Sequence, residues 1–251
     1  MSIDVIALPG GVMPASLRYA SLSAALGDSV RLHAKDLEVY AGDSPPNDYS
    51  VQLEIDALAA YADSLGLRRF HLLAYSGGGF ISLAFAGAYP DRLLSLALFE
   101  SAGIPGTLSP EESEQWTHLQ QGLAGLSGAE FMRAFVTLQV RDGVVVPPPD
   151  GPPPPWMAKR PAGIAALIAA FDAHPFDRDL LRRATFPVFY GYGDLTSVQE
   201  EVRAGTIARL FADIHVRRFS GVHHFVSAEA IYSAEHVELL RELWVRAEGR
   251  A

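Results

Sequence analysis

Phe70-His71-Leu72-Leu73-Ala74-Tyr75-Ser76-Gly77-Gly78-Gly79-Phe80 runs a largely apolar segment straight into a serine set among tiny residues, and a helical pattern begins at once. Turning from strand to helix in a single residue forces that residue to φ > 0. The strain is tolerable only where the positions two away lack bulk. Such a turn holds the Ser76 hydroxyl at the carboxyl edge of a sheet and at a helix N-terminus, whose free N–H groups favour developing negative charge. A plain Gly-rich turn and a phosphate cradle are the competing readings. The spacing does not fit the Gly-x-Gly-x-x-Gly of a dinucleotide site, and Phe80 stands where a phosphate-binding loop needs Lys.

Outward from this segment, further runs read as buried parallel strands: Ile3 to Leu8, Val30 to His33, Leu94 to Phe99, Val188 to Gly191 and about His215 to Phe219. Helical stretches lie between them. Ile55, Leu58, Ala59, Ala62 and Leu65 share a face, with Gly66 as a stop; Phe80 to Ala88 closes at Tyr89-Pro90; Val237, Leu240 and Trp244 form a stripe on a last helix. This alternation predicts an α/β fold, a doubly wound, mostly parallel sheet of about six strands. The rhythm breaks over residues 104–183, where helices around Glu111–Leu126 and Ala129–Val140 precede a proline tract at 147–155. The tract suits a stiff polyproline-II crossing. Because it sits mid-domain, it reads better as part of an insertion than as a ligand for a proline-recognition module. The expected division is a core of residues 1–103 and 184–251, with a cap of residues 104–183 whose Trp116, Phe131, Met132, Phe135, Trp156, Met157 and Phe171 form its own core or line a pocket.

With 251 residues, 49% hydrophobic and 20% charged, the chain has the balance of a soluble globular protein. No apolar run approaches the ~18 residues that a membrane span needs, and the N-terminus shows no signal-peptide pattern. There are no cysteines, which excludes disulfides, thiolate metal sites and a Cys nucleophile and suits a cytoplasmic protein. The net charge of −9 and the absence of a basic stripe argue against nucleic acid. Arg68-Arg69, Arg182-Arg183 and Arg217-Arg218 read as solvated element ends. A small-molecule substrate, with neither nucleic acid nor membrane, is the expected partner.

Ala74-Tyr75-Ser76-Gly77-Gly78 resembles the Gly-x-Ser-x-Gly nucleophile elbow of the α/β-hydrolase superfamily, with Ala for the first Gly. The resemblance implies partners downstream in the order acid, then His. Phe186 to Asp194 is a strand ending in a Gly-rich turn that resembles the acid-bearing loop, and Phe219-Ser220-Gly221-Val222-His223-His224-Phe225 resembles the histidine loop. It implies Ser76 as nucleophile, His224 rather than His223 as base, and Asp194 as the orienting acid. Glu100, at the end of the strand Leu94–Phe99, is the alternative acid, since some members supply the carboxylate from there. The resemblance also implies an oxyanion hole from the backbone N–H groups of Gly77 and Gly11, with Val12 as fallback. In this chain Leu8-Pro9-Gly10-Gly11 has Pro9 where the family has His. The family's initial antiparallel hairpin is missing from the pattern, because the sequence opens on the oxyanion strand.

The activity so implied is hydrolysis of a small to medium hydrophobic ester, or a related acyl compound, through an acyl-Ser76 intermediate without metal or organic cofactor. The same fold and triad also serve C–C hydrolases, perhydrolases and hydroxynitrile lyases. A serine at the elbow argues against dehalogenase and epoxide-hydrolase chemistry, which need a carboxylate there. A slow-turnover ligand-binding or sensor protein is the reading from another class.

Overall fold

All six apolar runs enter one sheet in the computed structural model, which describes residues 2–147 and 151–249. The strands are β1 Ile3–Leu8, β2 Val30–Ala34, β3 Phe70–Tyr75, β4 Leu93–Phe99, β5 Val188–Gly193 and β6 Ile214–Phe219. Their order is β2-β1-β3-β4-β5-β6, and every neighbouring pair is parallel. The helices are α1 Ala15–Arg18, α2 Ala20–Leu26, α3 Val51–Ser64, α4 Gly77–Ala88, α5 Pro110–Leu123, α6 Gly128–Thr137, α7 Arg160–Ala173, α8 Asp179–Arg182, α9 Gln199–Leu210, α10 Ala228–Ile231 and α11 Ala234–Glu248.

Alternate residues of the central strands feed two separate cores, as the two-residue period of a strand requires. Ile6, Leu8, Leu72, Leu96 and Tyr190 face one side, with Ile55 and Leu58 of α3, Ile81 and Phe85 of α4, and Ile207 of α9. Val5, Ala7, Leu73, Ala97 and Phe189 face the other, with Leu22 and Leu26 of α2 and Leu240 and Trp244 of α11. Burial on both faces explains why β3 and β4 are almost continuously apolar, whereas the edge strands β2 and β6 carry exposed arginines. Helix ends follow local chemistry. Ser50 caps α3 by accepting from Leu53 N–H, and α3 stops before Gly66, at φ 72°.

Strand order reverses between β1 and β3. There the chain has gone out to β2 and returned to the other side of β1, so a crevice opens beyond the paired ends Leu8 and Ala74. Between β4 and β5 the chain forms α5 to α8. Leu123, Phe131, Phe135 and Ile164 of this stretch make a small core of their own, against which Val12 and Phe225 pack from the loops after β1 and β6. Phe171 stacks on Phe80 at 4.0 Å between ring centroids. Of the proline tract, Pro148, Pro149 and Asp150 lie outside the described residues. Its last member, Pro155, does not extend the crossing but opens a 3₁₀ turn through Lys159, where the fixed φ of proline suits a helix start. No described helix is long and apolar enough to cross a membrane.

Candidate active site

Ser76 sits at φ 53° and ψ −118°, between the last residue of β3 and the first of α4. Its neighbours must be small for measurable reasons. A methyl group at Gly78 would stand 2.5 Å from the Pro9 carbonyl oxygen, and one at Gly10 would stand 2.8 Å from Ser76 Cβ. Gly78 N–H instead donates to the Pro9 carbonyl at 3.0 Å, which ties the turn after β3 to the loop after β1. The Gly11 and Gly77 N–H groups have no acceptor among the described residues. They lie close together, since a methyl built on Gly77 would be 3.7 Å from Gly11 N. Where the sequence lacks the family's histidine, Tyr40 braces the loop by donating its hydroxyl to the Gly11 carbonyl at 2.6 Å.

His224 Nε2 lies 3.0 Å from Ser76 Oγ, and both residues are buried. Three contacts hold the imidazole. Its ring stacks on Tyr75 at 4.9 Å, Phe225 meets it edge-on at 4.9 Å, and the Tyr75 hydroxyl donates to the His224 carbonyl. The Arg18 guanidinium covers Tyr75 at 4.1 Å. His223 faces elsewhere: its Nδ1 accepts from Phe225 N–H, and burial depresses its pKa.

Of the two candidate acids, the structure brings the alternative, Glu100, to the imidazole and not Asp194. His224 Nδ1 meets Glu100 Oε2 at 2.6 Å, and Asp194 does not take part. Asp194 accepts from Gly221 N–H at 2.7 Å and from the Ser220 hydroxyl at 3.0 Å, so both its oxygens are spent bracing the turn that leads to His224. Glu100 reaches the imidazole from β4 because its own backbone is left-handed, at φ 46°. Ser76 and Glu100 are the only non-glycine residues at positive φ among the described residues, and both stand in this site. The second oxygen of Glu100, Oε1, accepts from Gly193 N–H at 2.7 Å and from Thr196 Oγ1 at 2.6 Å. Sequence reasoning missed Tyr40, Tyr75 and Thr196. Only Tyr75, inside the quoted segment, offered a signal.

Two surroundings adjoin this chain of hydrogen bonds. A methyl group at Gly77 would meet Leu167 and Phe171 of α7 at 3.7 and 3.8 Å, and one at Gly11 would meet Ile164 and Leu167 at 3.0 and 3.4 Å, so this side is apolar. Against Glu100 and His224 opens a cavity of about 80 Å³ with a mixed lining, in which Gln115, Gln139 and Arg203 stand beside Ile104, Trp116 and Leu138. Beside Glu100, burial and the neighbouring carboxylate raise the pKa of Glu200, which is paired with Arg203 and accepts from the Tyr190 hydroxyl.

A family model described as the alpha/beta hydrolase fold matches residues 8–134, just over half of the chain. This chain belongs to the α/β-hydrolase fold family. Solved structures share the fold across nearly all of the chain. An esterase from Thermogutta terrifontis superposes with a TM-score of 0.73 at 19% identity, covering 98% of this chain and 91% of that one. Naproxen esterase from Bacillus subtilis gives 0.65 at 17% identity, with 96% and 83% covered. A meta-cleavage product hydrolase from Pseudomonas fluorescens gives 0.66 at 16% identity, with 98% and 92% covered. No curated protein matches the sequence. In open α/β sheets, ligands bind in the crevice at such a strand reversal.

Proposed function

We propose that the chain is a serine hydrolase that cleaves carboxylic esters through an acyl-Ser76 intermediate, with His224 as general base and Glu100 as the acid that orients it. The observation carrying this reading is the unbroken chain Ser76 Oγ–His224 Nε2, His224 Nδ1–Glu100, at 3.0 and 2.6 Å, beginning on a serine held in a strained turn. A free serine hydroxyl is too weak a nucleophile at neutral pH, and a neighbouring imidazole removes its proton as the oxygen attacks. Glu100 keeps the proton of His224 on Nδ1, so Nε2 is free to accept, and its charge stabilises the imidazolium that forms. The imidazolium then protonates the departing alcohol, and water repeats the sequence in reverse to release the acid. The free N–H groups of Gly11 and Gly77 are suited to the tetrahedral oxyanion, which a helix N-terminus further favours.

Residues 104–183 would act as a cap over this site. Leu167, Phe171 and Ile164 beside the two glycines favour a small to medium apolar group, and the cavity against His224, lined by both apolar and polar side chains, has room for a group that carries a hydrogen-bonding atom. A panel of p-nitrophenyl esters of increasing acyl length tests the proposal. Saturable hydrolysis that falls at least about a thousandfold in Ser76→Ala is the expected result. Hydrolysis that survives Ser76→Ala would place the activity elsewhere. Saturable ligand binding by wild type and Ser76→Ala alike, with no turnover, would favour the binding-protein reading.

A further inference from the structure

Glu100 is fully buried, and its carboxylate has two needs that compete. A buried charge must have its oxygens satisfied, and a carboxylate that orients an imidazole must keep one oxygen aimed at a fixed point. Glutamate meets the second need poorly on its own, having one more rotatable bond than aspartate and correspondingly more freedom to lose. Asp194, on the neighbouring strand end, has the shorter side chain but is committed to the Ser220-Gly221 turn. Something must therefore hold the longer side chain still.

Apart from His224, the one side chain that bonds the Glu100 carboxylate among the described residues is Thr196, itself buried. Its hydroxyl and Gly193 N–H converge on Oε1, so the carboxylate can rotate only by abandoning both donors. Thr196 is held in turn from two sides. Leu195 N–H donates to the Val222 carbonyl at 2.9 Å, joining the loop to the one that carries His224. On the other side, Thr196 bridges Val140 in antiparallel fashion, with Arg141 N–H donating to Leu195 at 3.0 Å and Ser197 N–H to Gln139 at 3.1 Å. Residues 139–141 follow α6, so the inserted helices reach back to pin the loop that steadies the acid.

We propose that Thr196 is a positioning residue that fixes Glu100 in the orientation His224 requires, with the Val140 bridge holding Thr196 in place. The proposal rests on the reading of Ser76, His224 and Glu100 as the catalytic set. A hydroxyl donor to the carboxylate also draws charge away from the oxygen that faces the imidazole, so its loss raises the proton affinity of the His224–Glu100 pair. Other groups also bear on this pair: Glu200 and Arg203 on α9, Tyr190 on β5, Tyr75 on β3 and His223 beside His224, with Arg18 behind Tyr75. Across the cavity stand Glu112 and His118 of α5. None of these changes in a Thr196 variant, so a difference between variants reports the hydroxyl.

The test compares wild type, Thr196→Val, which keeps the shape and removes the hydroxyl, and Thr196→Ser, which keeps the hydroxyl and removes the methyl. The readouts are the low-field His224 Nδ1–H proton resonance followed against pH, the pH profile of p-nitrophenyl acetate hydrolysis, and labelling by a fluorophosphonate. In Thr196→Val the titration midpoint and the acid limb of the profile move up by about half a pH unit or more, and kcat at neutral pH falls about tenfold. Thr196→Ser restores both. A Thr196→Val protein that titrates and turns over like wild type overturns the role of Thr196, as does Thr196→Ser behaving like Thr196→Val, which would mean that the methyl packing matters instead. If Thr196→Val does not fold, Thr196→Ser and Thr196→Ala carry the same comparison. Wild type that neither labels nor hydrolyses the ester overturns the catalytic reading itself, and is distinguished from the other failures because it appears before any variant is made.

Discussion

Glu100 and Asp194 end neighbouring strands, and the register pairs Phe99, just before Glu100, with Gly191 of the strand leading to Asp194. Both carboxylates therefore stand at the same edge of the sheet, and only side-chain direction separates them. Replacing Glu100 with Gln keeps the shape but lets the side chain present an amide donor to Nδ1, which favours the wrong tautomer of His224. The expected loss in kcat is about a thousandfold or more, by analogy with the same change in serine proteases. Asp194→Asn leaves an acceptor for Gly221 N–H and does not touch the imidazole, so kcat stays within about tenfold of wild type. Steady-state kinetics of the two variants on one ester separates them, and equal losses would contradict the assignment. This is also where sequence reading ran out. Ser76 and His224 stand on local patterns of small residues and strand ends that a sequence displays. Whether Glu100 or Asp194 turns toward the histidine depends on the left-handed φ of Glu100 and on the claims of Ser220 and Gly221 on Asp194, which no spacing records.

Elements buried on two faces were the most legible. β1 and β3 run over the residues their apolar patterns mark, and β4 begins one residue earlier, because a continuous apolar run bounded by turns leaves a parallel strand few alternatives. α7, by contrast, has apolar residues all round, and little in its pattern says which face meets what. The structure supplies the answer at Gly163, where a methyl group would stand 2.0 Å from Tyr40 Cε1. α7 approaches the ring that braces Gly11 closely enough to need a glycine. Gly163→Ala is expected to push α7 away from Tyr40, destabilising the protein by about 1–3 kcal/mol and weakening catalysis through the Gly11 loop. On α9, Gly205 has only the end of the Arg209 side chain near it, at 3.7 Å. Gly205→Ala should therefore be neutral or stabilising by up to about 1 kcal/mol, from helix propensity alone. Urea denaturation of the pair checks the contrast; equal destabilisation would mean that α7 does not rest on Tyr40 as described.

Across the whole molecule, the two faces of the sheet carry buried titratable groups with opposite pH dependence. On the α11 side, burial among Phe189, Phe219 and Tyr232 pushes His236 down to about 4, partly opposed by its hydrogen bond to the Ile231 carbonyl. The native state keeps this imidazole neutral, while the unfolded chain protonates it near 6.5. The unfolded state thus binds more protons as pH falls, and stability is lost between about 6.5 and 4, by roughly 3 kcal/mol from this group. Glu200, on the α9 side, has a raised pKa and acts oppositely, costing stability as pH rises above the value of an unfolded glutamate. His236→Phe should therefore gain on wild type as pH falls from 7 to 4, and a constant difference in unfolding free energy would contradict the shift. At this scale the doubly wound sheet followed from alternating periods, whereas how α5 to α8 sit against the sheet depends on packing between residues far apart in the chain. The central claim is an activated Ser76, and labelling with a fluorophosphonate, mapped by mass spectrometry, tests it most directly. Wild type and His223→Ala should carry the label on Ser76, with labelling abolished in Ser76→Ala and nearly so in His224→Ala. Wild type that stays unlabelled, or labels at another residue, would contradict the account.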